Sequence, residues 1–228
     1  MQALRVRLLL VALLLLAPGV AAHGVDEADQ DDFARGGIGV MLYQGAKHMV
    51  TGYDHLLFLV GVIFFLYKPK DVLVYVSWFT LGHSATLLFG VLADIQVSAY
   101  LVDAVIGLSV VYKGFDNLGG FDRFLGKQPD PRKAVLIFGF FHGFGLATKV
   151  QELVVRDDMG LLVANMVAFN VGVEVGQIIA LGLILSGLMW WRRHPSYLKH
   201  AYLTNTLLMA AGFVLFGMQM TGFFLEDL

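Results

Sequence analysis

Along the chain, hydrophobic residues fall into six long runs separated by short polar connections. The runs lie near residues 51–67, 71–92, 98–118, 133–154, 160–190 and 200–224. Each is close to the ~20 apolar residues that an α-helix needs to cross a bilayer. The fifth is longer than one crossing requires and is expected to tilt or to carry an extramembrane turn. Residues 36–48 mix apolar and small positions and predict a short interfacial helix ahead of the first span. The expected fold is all-α, a polytopic membrane protein of six transmembrane helices.

The stretch before the spans reads differently. "MQALRVRLLLVALLLLAPGVAAHG" has a positive start (Arg5, Arg7), a short apolar run (Leu8–Ala17) and small residues at Val20-Ala21-Ala22. This is the plan of a secretory signal peptide over residues 1–22, cleaved after Ala22. Residues 23–35 then form an acidic arm with Asp26, Glu27, Asp29, Asp31 and Asp32. Its plain reading is a solvated linker, and its sharper one a cation-collecting arm. Residues 36–228 make the transmembrane domain.

Cleavage starts the mature chain outside the cytoplasm, so the loops at 67–71, 119–133 and 191–200 are expected inside. They hold Lys68 and Lys70; Arg123, Lys127, Arg132 and Lys133; and Arg192, Arg193 and Lys199. The outer connection "ADIQVS" has no Lys or Arg, and "VRDDMG" has only Arg156. Positive residues on the inner side are what the rule for short loops requires. Both mature termini, and the periplasmic arm, are expected outside a bacterial inner (cytoplasmic) membrane.

Composition agrees with a chain immersed in lipid. Hydrophobic residues make up 57% and charged residues only 15%, well below the quarter usual for soluble domains. The net charge of −2 and the absence of a basic patch argue against nucleic acid as a partner. The chain has no cysteine, which excludes disulfides and thiolate ligands. A bound metal must then use His, carboxylate, amide, Met or backbone oxygen.

Ionisable groups at membrane depth cost ~2.5–3.5 kcal/mol each on insertion scales and are functional candidates by default. "HMVTGYDHLLFL" places His48, Asp54 and His55 at the mouth of the first span. Thr51, three residues before Asp54, resembles a capping box, so Asp54 has a purely structural reading. His48 and His55 would stand ~10.5 Å apart along a continuous helix. A break at Thr51-Gly52 would fold His48 back toward the other two. In the second span Thr80, His83 and Ser84 share a face. Asp103 lies several residues inside the third.

His142 sits mid-span in the fourth, among Gly139, Gly143 and Gly145. In the fifth, Asn170, Glu174 and Gln177 form one stripe, and Gly172 and Gly176 flank Glu174 at GxxxG spacing. A lone buried His is most often a hydrogen-bonded structural residue, but here several recur at similar depth. Nitrogen and carboxylate ligands suit Ni²⁺, Co²⁺, Zn²⁺ or Fe²⁺. Met41 and Met49 beside His48 keep copper in play. The same residues could relay protons, since His titrates near neutral pH.

Three groups of residues resemble the HupE/UreJ family of bacterial membrane proteins. These are His48 followed by Gly52-Tyr53-Asp54-His55, Phe141-His142-Gly143, and the segments "FTLGHSATL", "FHGFGLA" and "FNVGVEVGQ". The similarity spans roughly residues 45–180. It implies uptake of nickel or cobalt for hydrogenase or urease, with His48, Asp54, His55 and His142 as the carried-over motif residues. The nickel-permease pattern continues with a second His-Gly and a Glu, where this chain has "FGLATKVQE". His83 and Glu174 are the candidates for the missing ligands.

The expected function is therefore binding of a divalent transition metal (nickel, cobalt or zinc) for uptake. Its ligands would be His48, Asp54, His55, His83, His142 and Glu174, with Asp103, Asn170, Gln177, Thr80 and Ser84 along the pathway. One alternative is an intramembrane zinc-dependent hydrolase, with His55, His83 and His142 as ligands and Asp54 or Glu174 as base. No HExxH or Gly-x-Ser-x-Gly motif supports that. Another is an accessory or assembly protein without transport. The bilayer, a homo-oligomer and metalloenzyme-maturation proteins are the partners compatible with these readings.

Overall fold

The structure, a computed structural model, describes residues 37–153 and 159–226. The leader, the whole acidic arm, the 154–158 connection and residues 227–228 lie outside the described residues. Eight helices account for the rest: α1 (Ile38–Thr51), α2 (Tyr53–Ile63), α3 (Pro69–Leu92), α4 (Ala99–Asn117), α5 (Gly120–Leu125), α6 (Pro131–Leu153), α7 (Met159–Arg192) and α8 (Ser196–Glu226). There is no strand among the described residues. By length and composition, Pro69–Leu92, Gly160–Arg192 and Ser196–Leu225 can cross a membrane, and Tyr53–Ile63 is a shorter apolar helix. α4 covers the expected third run but carries Asp103, Lys113 and Asp116 within its length.

The beginning of the bundle differs from the expectation. The helix over 36–48 does not stand apart on an interface. As α1 it packs lengthwise on α7, and α2 continues it beyond a break at Gly52. Leu42 meets Gly172 and Ala46 meets Gly176, while Ile63 is bonded to Arg192. α1 and α2 thus run along α7 in the same direction as one broken helix, ~39 Å long at 1.5 Å per residue.

Glycines explain the closeness of this pairing. A side-chain carbon on Gly45 would strike the backbone of Phe169 and Val173, and one on Gly172 would strike the Leu42 carbonyl. Small residues let helix backbones touch where lipid supplies no hydrophobic drive for association. α3 and α6 repeat the device: Gly82 abuts Leu136, and Gly143 abuts Thr86 and the His83 carbonyl. Phe79 meets Gly139 and Gly90 meets Ala147, so this pair also runs in one direction. α4 and α8 pack through Gly107, Gly114 and Gly212 in opposite directions, with Tyr100 at Gly222 and Asn205 at Gly114.

α2 starts at the break, and its far end is held by donors from α4, α7 and α8. The last carbonyls of a helix have no partner within it and attract cations and donors. Here the Arg192 guanidinium donates to the carbonyls of Ile63 (2.6 Å) and Phe64 (2.7 Å). The Tyr197 hydroxyl also donates to the Phe64 carbonyl. One turn earlier, the Asn117 amide donates to the Gly61 carbonyl (2.8 Å) and to Asn205 (2.8 Å), tying α2 to α4 and α8.

If backbone contact at Gly45 holds α1 on α7, Gly45→Ala should destabilise the bundle by ~1–3 kcal/mol, the usual penalty of overpacking. Gly182→Ala, where nothing lies within 4 Å, should leave it unchanged. The thermal midpoint in detergent reads both, and equal midpoints would contradict this packing.

Candidate metal centre

Everything at this site follows from the break in the first helix. Gly52 is extended (φ −67°, ψ 99°) and belongs to neither α1 nor α2, and no side chain caps the start of α2. Thr51 is not the cap that its spacing suggests, because its hydroxyl turns back to the Lys47 carbonyl (2.8 Å). Asp54 contacts a neighbouring ring instead, with Oδ1 3.0 Å from His55 Nδ1. The bend brings the His48 and His55 ring centres to 4.9 Å. The carbonyl end of α1 and the amide end of α2 meet here. Asp54, in the first turn of α2, offsets the positive end of that helix dipole.

Two further imidazoles arrive from α3 and α6. The His142 ring centre lies 4.9 Å from that of His55, and the His83 ring centre 6.4 Å. The close α3–α6 packing at Gly139 and Gly143 sets both in place. His142 Nδ1 donates to the Phe138 carbonyl (2.7 Å), which fixes its tautomer and leaves the Nε2 lone pair facing the cluster. His142 Nε2 and both ring nitrogens of His83 are buried without a hydrogen-bond partner among the described residues. Phe58 and Phe79 wall the cluster, with Phe79 4.9 Å and Phe58 5.7 Å from His142 between ring centres.

Two sets of ligand atoms fall within 4.8 Å of one another: His48, His55 and His83, and Asp54, His55 and His142. His55 belongs to both. Ligands of one ion with bonds of about 2.0–2.1 Å stand ~3.3–4 Å apart, so a contraction of under ~1.5 Å would close either set. Buried nitrogens with no partner are costly unless something occupies them. The donor set of imidazoles and one carboxylate suits a borderline divalent metal. Asp54, His55, His83 and His142 are each between 1% and 3% exposed, so an ion here would be shielded from bulk water.

The remaining candidates lie elsewhere. Asp103 is buried beside Gly145 of α6, in neither set. Asn170 donates to the Met166 carbonyl within its own helix (3.0 Å). Glu174 stands exposed in a groove on the flank of the bundle with Thr80, Ser84 and Gln177. The Thr80 hydroxyl donates to Gln177 Oε1 (2.6 Å). Phe58 and Phe79 are not among the residues expected at the site. Their signal was the spacing, since Phe58 lies three residues after His55 and Phe79 four before His83.

A family model described as "HupE / UreJ protein" matches residues 26–227, nearly the whole chain. The chain belongs to the HupE/UreJ family. No curated protein and no solved structure matches it. The HupE/UreJ match encloses every residue of the histidine cluster and both faces of the break at Gly52.

Gly52 itself is part of the cradle. A side-chain carbon there would lie 2.8 Å from His55 Nδ1 and 3.2 Å from Asp54 Oδ1. Gly52→Ala should therefore displace the His55–Asp54 pair and weaken Co²⁺ binding ~10–100-fold, the range seen when groups that orient a ligand are disturbed. Titration followed by Co²⁺ absorption measures this, and unchanged affinity would contradict the cradle.

Proposed function

We propose that this HupE/UreJ protein moves a divalent transition-metal ion, nickel or cobalt by family association, across the inner membrane. The ion is cargo, held in transit by His48, Asp54, His55, His83 and His142. One observation carries the reading: side chains from α1, α2, α3 and α6 converge on a break in a membrane helix. Transporters commonly build midplane ion sites at such discontinuous helices, where the ends of the broken helix face the ligand. Enclosure fits an occluded stage of transport, in which binding must stay exchangeable enough for release.

The proposed topology has six crossings, the first being α1 with α2, and both mature termini in the periplasm. Helix directions support it. Crossings one and five, α1–α2 and α7, run together, and so do crossings two and four, α3 and α6, as alternation across a membrane requires. The basic residues Lys68, Lys70, Arg132, Lys133, Arg192 and Arg193 cluster at what would be the inner ends.

A second reading has one observation in its favour. A closed cluster of imidazoles with an adjacent carboxylate is also what a hydrolase needs to hold a metal and deprotonate a water. Elemental analysis and cellular uptake of Ni²⁺ and Co²⁺ separate the two. Transport predicts bound metal in the wild type, lost in His55→Ala, with uptake falling at least ~10-fold in His55→Ala and His142→Ala. Metal bound but uptake unchanged would contradict transport and favour hydrolysis. Wild-type protein without metal would contradict both and favour an accessory role.

A further inference from the structure

Between α3 and α7 a groove of about 410 Å³ opens on the flank of the bundle. Ser77, Thr80 and Ser84 line it from α3 at spacings of one and two helical turns. Glu174 and Gln177 line it from α7, and the rest of the wall is apolar, from Leu73, Val76, Leu81 and Ile178. Glu174 lies eighteen residues before Arg192, which places it ~27 Å along the helix from that inner-end guanidinium. In the proposed topology that puts it toward the outer edge of a ~30 Å hydrocarbon core, on the side facing the periplasm. The facing hydroxyls and amide offer hydrogen-bond partners to a hydrated ion there.

Behind this groove lies a second, much smaller cavity of about 10 Å³, bounded by Met49, His55 and Phe79. Its accessible wall is apolar, so it is a small void rather than a water site. Gln177 and Val76 line both spaces. Gln177 is 2% exposed. Its Oε1 accepts from Thr80, while its Nε2 has no hydrogen-bond partner among the described residues. One hydrogen bond thus holds the polar side chain that separates a carboxylate-lined groove from the histidine cluster. Turning Gln177 would break that bond alone, and would free an amide oxygen able to coordinate a cation.

We propose that Thr80 and Gln177 form a lateral gate, through which the ion passes between the Glu174 groove and His55. Glu174 gathers the hydrated cation, and the few oxygens of the groove hold it less tightly than the imidazoles beyond. The gate rests on the permeation reading above. It adds that access is sideways, between α3 and α7, rather than along the axis of the bundle.

The absence of native cysteine makes the test clean. Ser84→Cys introduces a single thiol in the groove, and the purified protein in lipid nanodiscs is loaded with Co²⁺ alone. Release to a chelator is followed by stopped flow before and after labelling with a bulky, positively charged, membrane-impermeant thiol reagent. Labelling should proceed, and should slow release at least about tenfold while the equilibrium affinity shifts less than about threefold, as a blocked path does without a lost ligand. Thr80→Val, lacking the gate bond, should speed release by about tenfold with similar affinity. An unreactive thiol, or normal Co²⁺ binding with unchanged release in both variants, would overturn the gate while leaving the metal centre intact. Wild-type protein that binds no Co²⁺ would overturn the permeation reading, and the gate with it.

Discussion

The interruption of the first helix at Gly52 is the constraint on which the site depends. A continuous helix would hold His48 and His55 two turns apart, on a scale of ~10 Å. With the chain extended for one residue, their rings touch, and the backbone loses little. The Gly52 amide still bonds the His48 carbonyl (2.9 Å), and the Leu56 amide bonds the Gly52 carbonyl (3.0 Å). In a bilayer, where unpaired backbone groups are heavily penalised, a break is tolerated only when buried in protein or lining a cavity. Gly52 is half-buried beside the histidine cluster, and the helix leading to it is packed on α7 through Gly45, Gly172 and Gly176.

The same economy of volume delivers the other imidazoles. Glycines at 82, 139 and 143 bring α3 and α6 together, so His83 and His142 approach His55 from two sides. Arg192, Tyr197 and Asn117 then fix the far end of α2 by taking its carbonyls. The result is a short helix clamped at one end and carrying Asp54 and His55 at the other. Phe58 and Phe79 wall one side of the cluster. Each feature supports the next, and none requires a residue from the loops.

Much of this was legible in the residues. The break at Thr51-Gly52 and the gathering of His48, Asp54, His55, His83 and His142 can be read from types and spacing. The extent of the first helix could not. Gln44, Gly45 and Lys47 lower the local hydropathy, so the segment resembles an interfacial helix until α7 is seen to cover it. Thr51 and Asp54 have capping spacing, but Lys47 and His55 claim their oxygens first. Glu174 shares a stripe with Gln177, as periodicity predicts. Periodicity does not say which neighbour faces the stripe, and here it is the hydroxyl row of α3 rather than the histidines.

The most direct test is X-ray absorption at the metal edge of protein loaded with Ni²⁺ or Co²⁺. Convergence of the histidines on one ion predicts a first shell of nitrogen and oxygen near 2.0–2.1 Å, with outer-shell scattering from about three imidazoles and no sulfur. A shell of oxygen alone, without imidazole scattering, would contradict the metal centre and with it the role assigned to the break at Gly52.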